Sequence, residues 1–83
     1  LMQIYSQSVT LWQVEYDYSW FQIFDDGGDV MTVQRKTDLD GDGDHDWENV
    51  GTIHVEGRDA ATNDRLMRYI AHFMHDLHDK DID

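Results

Sequence analysis

Toward its C-terminal end the chain changes hydrophobic period. Leu66, Ile70, Phe73 and Leu77 recur at i, i+4, i+7 and i+11 with Met67 and Met74 alongside, which gathers apolar side chains on one face of an α-helix. This stripe constrains the fold more than any other feature, because an amphipathic helix needs an apolar surface to bury against. The segment RDAATNDRLMRYIAHFMHDLHDK is therefore read as one helix, with Asp59 able to accept hydrogen bonds from free amides at its start and Lys80 suited to its negative end.

The surface for that helix is sought upstream, where the period is two. VTLWQVEYDY (9–18) alternates Trp12, Val14, Tyr16 and Tyr18 onto one face and reads as a strand. Val9 and Leu11 fall on the opposite phase, which calls for a bulge near residues 11 and 12 or for partial cover on both faces. WFQIF (20–24), the Gly-rich turn DDGGD (25–29) and VMTVQRK (30–36) read as a hairpin. NVGTIHVEG (49–57) is a fourth strand, with Gly51, Ile53 and Val55 on one side and Val50, Thr52, His54 and Glu56 on the other. The expected fold is a single α+β domain over residues 1–83, a four-stranded antiparallel meander packed by one C-terminal amphipathic helix (ββββα).

Composition sets limits on function. With 83 residues the core is thin, and with no cysteine no disulfide staples it and Cys-based zinc and redox motifs are excluded. Three Trp, four Tyr and three Phe supply enough apolar surface for a packed core despite the charge. No apolar run is long enough to span a bilayer, and LMQIYSQS lacks the regions of an export signal, so a cytoplasmic location is expected, with Met2 as the natural start. The 18 acidic against 6 basic side chains give a net charge of −12, which repels nucleic acid and anionic lipid and attracts basic surfaces and cations. Fifteen of the acids are Asp, a bias also expected of salt-adapted proteins.

The charge is concentrated in KTDLDGDGDHDWEN (36–49), where Asp38, Asp40, Asp42, Asp44 and Asp46 stand at every second position. Neighbouring carboxylates about 7 Å apart repel by roughly 0.6 kcal/mol even in water, so a cation, a basic partner or open solvation must offset them. Counted from Asp38, side chains at positions 1, 3 and 5 are aspartates, Gly43 takes the sixth place, Asp44 offers its carbonyl at the seventh and Asp46 stands at the ninth, a layout suited to calcium. The run resembles the D-x-D-x-D-G loop of EF-hands, dockerins, thrombospondin type 3 repeats and FG-GAP blades, and that resemblance implies calcium held by these five aspartates. It departs from an EF-hand in having a strand before it and Asn49 at position 12.

Other clusters carry less chemistry. His72, His75 and His78 with Asp76 and Asp79 include metal-compatible i, i+4 pairs, but no third ligand is fixed, and a polar helix face is the plainer reading. Trp12, Tyr16, Tyr18, Trp20, Phe21 and Phe24 are expected mainly as core. No nucleophile elbow or phosphate loop appears, so no enzyme is expected.

The function expected is a small acidic, non-enzymatic binding protein that covers a basic, normally nucleic-acid-binding surface of a protein partner, with carboxylates imitating phosphates. Its contact residues are expected to be Asp25, Asp26, Asp29, Asp40, Asp42, Asp44, Trp47 and Glu48, with Trp47 preferred over Trp12, Tyr16 and Tyr18 as the aromatic anchor. In size and charge alone the chain resembles small phage-encoded inhibitors such as anti-CRISPR proteins, which implies action in a host cytoplasm. The alternative is a calcium-binding structural or adhesion module built on Asp38 to Asp46.

Overall fold

The computed structural model of the chain describes residues 2–7, 10–37, 47–58 and 62–82. Strands β1 (Met2–Gln7), β2 (Leu11–Tyr16), β3 (Ser19–Asp25), β4 (Val30–Lys36) and β5 (Trp47–His54) pair antiparallel in sequence order, and helix α1 (Asn63–Ile82) follows. The α+β meander with a C-terminal helix is as expected, but the sheet has five strands rather than four. The added strand is β1, whose Met2 and Ile4 lie opposite Tyr16 and Val14 of β2 and pack against the core.

Alternation decides which side chains meet the helix. Trp12 and Val14 of β2, Phe21 and Ile23 of β3, Met31 and Val33 of β4, Ile53 of β5 and the following Val55 are buried, and Leu66, Ile70 and Met74 of α1 close over them. Phe73 and Leu77 pack partly buried at the margin of this core. Burying a Leu- or Ile-sized side chain contributes about 1.5–3 kcal/mol, so the helix stripe is a main source of the fold's stability.

The β2 strand is shorter than the alternation suggested. Asp17 and Tyr18 have φ of 50° and 67° and form the two-residue connection to β3, so Tyr18 stands 93% exposed on a turn rather than in line with Trp12 and Val14. No bulge occurs at residues 11 and 12 in the β2–β3 register; Leu11 is partly covered on the face away from the core. The register shifts lie instead between Ile4 and Ser6 of β1 and between Val33 and Gln34 of β4. At the second, Gly51 faces Val33 and Asn49 faces Gln34, leaving Val50 as the extra residue of a bulge.

The helix begins at Asn63, where the Arg65 amide donates to Thr62 Oγ1 at 3.3 Å, so Thr62 is the N-cap. Asp59, the cap expected from sequence, lies outside the described residues. Asp64 in the first turn and Lys80 in the last complement the helix dipole. Gln7 Nε2 donates to Asn63 Oδ1 at 3.3 Å, and His78 Nδ1 lies 3.0 Å from Asp17 Oδ2, so the helix runs lengthwise over the sheet from the β1 end to the β2–β3 turn. Among the described residues no helix is long and apolar enough to cross a membrane.

Candidate functional site: the helix-free face of the sheet

A single helix covers one face of a sheet, and the same alternation that buries Phe21 and Ile23 turns Trp20, Gln22 and Phe24 outward. Trp20 and Phe24, expected as core, are instead solvent-exposed, a correction that follows from the strand period, since among the described residues no second layer lies over them. Tyr5 of β1 is exposed beside them, its ring centroid 4.8 Å from that of Trp20 in a tilted stack, and its hydroxyl donates to Gln3 Oε1 at 2.7 Å. Aromatic pairs at this separation contribute about 0.5–1.5 kcal/mol beyond area burial, so the stack is an ordered surface feature.

A row of carboxamides crosses the face. Gln22 Nε2 donates to Gln34 Oε1 at 2.6 Å, and Gln34 Nε2 donates to Asn49 Oδ1 at 2.9 Å. These residues are cross-strand neighbours, Gln22 with Gln34 and Gln34 with Asn49, so the row follows directly from register. Beside it Gln13, Trp20, Phe21, Gln22, Lys36 and Trp47 line a shallow concavity of about 320 Å³. Trp47 is half-buried there and pairs across the strands with Lys36. These two residues open and close the segment that carries the five aspartates.

Among the described residues, the members of the contact set expected from sequence do not come together as one patch. Asp38 to Asp46, including Asp40, Asp42 and Asp44, lie outside the described residues. Asp26 and Asp29 are exposed in the β3–β4 turn, but Trp47 lies at the other end of β4, seven residues away along the strand, a span of about 20 Å. Glu48 faces Arg35 across the strands and is ion-paired with it at 2.6 Å, with Arg35 in register with the core residue Phe21, so Glu48 and Trp47 point to opposite faces. Trp12 is core, only 1% exposed, and offers no anchor.

Asp25 also leaves the contact set. It is 3% exposed, and its Oδ2 accepts from Arg58 Nη2 at 2.8 Å while its Oδ1 accepts from the Gly27 amide at 3.0 Å. Burial pushes its carboxyl up, but the Arg58 guanidinium, the Gly27 amide and the Trp12 indole outweigh that and hold it below the usual carboxylate range. Asp25 therefore joins β2, β3, the β3–β4 turn and the segment after β5. A buried carboxylate satisfied in this way is a structural hub, and it presents no charge to a partner.

On the helix, His75 Nε2 lies 3.5 Å from Asp79 Oδ2, while His78 is turned to Asp17 and stands edge-on to Tyr16 at 5.9 Å. His75 and His78 thus form separate pairs, and the described residues hold no group of three or more His, Asp or Glu placed to bind a metal.

Tyr5, Gln22, Gln34 and Asn49 escaped the sequence reading. Gln22 carried a signal in its alternation with Trp20 and Phe24, whereas Tyr5 needed β1, and Asn49 needed the bulge that shifts its register. Set against protein-family models, curated proteins and solved structures, the chain matches none.

Proposed function

We propose that the chain is a small acidic binding protein that covers a basic, normally nucleic-acid-binding surface of a protein partner, acting by occupancy and without catalysis. The observation that carries this reading is an aromatic and amide face left uncovered by the single helix, on a molecule of net charge −12. Charge of that size steers a basic partner over a Debye length of about 8 Å at physiological salt and raises the association rate. Charge alone does not select a partner. Trp and Tyr rings are the side chains that most often anchor a protein interface, and exposed Trp20 and Tyr5 with half-buried Trp47 provide them.

The test is competition. The protein should capture a basic nucleic-acid-binding partner, nucleic acid should displace it, and capture should weaken steeply as salt rises. Reversing Asp40, Asp42 and Asp44 to Lys should slow association, and Trp47→Ala should mainly speed dissociation. Binding that ignores both salt and the triple reversal removes the reading. A second reading rests on the calcium-like spacing of Asp38, Asp40, Asp42, Asp44 and Asp46 around Gly43, a segment whose flanking strands β4 and β5 are paired up to Lys36 and Trp47. In it the loop holds calcium as part of a structural or adhesion module.

A further inference from the structure

We infer that the concavity between Trp20 and Trp47 seats an arginine side chain of the basic partner, an assignment that rests on the reading above and names the residue type the face selects. Gln13, Trp20, Gln22, Lys36 and Trp47 line it, so two indoles meet two carboxamides. A guanidinium is planar, weakly hydrated and attracted to the negative face of an indole, on which it stacks. Its N–H groups then reach outward in the ring plane and need acceptors.

The carboxamide row supplies them. Gln22 Nε2 donates to Gln34 and Gln34 Nε2 donates to Asn49, so within the row Gln22 only donates and its Oε1 is the acceptor end. Gln13, directly across the strands from Gln22, offers a second amide oxygen. Arginine carries five N–H donors and no acceptor, so each of these two amide oxygens can take one of them.

Among the described residues, the charge beside the concavity is balanced. Glu15 stands opposite Trp20 in the β2–β3 register, and Lys36 lines the concavity. The ammonium of Lys36 opposes a second cation by about threefold in affinity at roughly 7 Å in water. Attraction therefore comes from the −12 of the whole molecule, while selection comes from the rings and amides. A lysine would feel the same attraction, but its compact, strongly hydrated ammonium cannot stack or fork in the same way.

The probes are a hexa-arginine and a hexa-lysine peptide, titrated calorimetrically into the full chain at low salt. Hexa-arginine should bind about fivefold more tightly than hexa-lysine, the factor expected for a cation–π contact. Trp20→Leu and Trp47→Leu should each erase the preference while keeping the fold, read from the far-ultraviolet spectrum and the buried Trp12 emission. Lys36→Gln should raise hexa-arginine affinity about threefold. Should a Trp variant unfold, Gln22→Met keeps the test alive, since loss of the acceptor must reduce the preference. Equal, salt-sensitive binding of the two peptides overturns the arginine seat and leaves the acidic-cover reading standing. No binding of either peptide at low salt overturns both.

Discussion

Gly51 of β5 lies against the ring of Phe73 of α1 so closely that a Cβ on Gly51 would stand 2.8 Å from Phe73 Cζ and 3.0 Å from Cε2. Its φ of 152° is also one that side-chain-bearing residues rarely adopt. The bulge at Val50 and the bare backbone at Gly51 together let the helix settle on β5. Gly51→Ala should destabilise the domain by about 1–3 kcal/mol through overpacking. Adding Phe73→Leu should recover part of that loss in a chemical-denaturation cycle, whereas purely additive effects would mean that the two residues do not press on each other.

Asp25 and Arg58 form a buried ion pair. Asp25→Asn leaves the guanidinium without its charge partner and should cost up to about 3–5 kcal/mol, the range for breaking a buried pair. The pH dependence follows from the lowered carboxyl of Asp25. Its stabilisation is fully present above the unfolded value of about 4 and is lost as pH falls through the lower native value. Acid unfolding curves should therefore fall less steeply below about pH 4 in Asp25→Asn than in the parent. Parallel curves would show that this carboxylate does not govern the acid limb.

Tyr18 holds a left-handed conformation on a two-residue turn where glycine is favoured, with its ring in solvent. Tyr18→Gly should raise stability by up to about 1 kcal/mol, because the left-handed region costs a side-chain-bearing residue that much or more. A thermal melt checks this, and a lower midpoint in the variant would mean that the ring contributes to the folded state.

Calcium provides the test of the second reading. In it, millimolar calcium raises the melting temperature, because a ligand bound only by the native state stabilises it, and Asp42→Ala removes the rise. Identical melts in calcium and in chelator dispose of that reading.

The sequence by itself determined the α+β class, the order of the last four strands and the helix, and most of the core. Those are consequences of periodicity: Phe21 and Ile23 alternate, Leu66, Ile70 and Met74 recur at helical spacing, and no partner is needed to see it. Tertiary structure decided what periodicity leaves open. β1, MQIYSQ, offers only two apolar residues for an inward face, and Met2 and Ile4 became inward-facing only because β2 lay beside them. Asp25 reads as a surface acid in a Gly-rich turn, yet burial beside Arg58, 33 residues away, made it a hub. Trp20 and Phe24 have the character of core residues, and they face solvent because one helix covers only one face of a sheet. Which of two aromatic faces is buried depends on where the helix lands, and that is settled by long-range contacts such as Gly51 with Phe73, which local sequence does not encode.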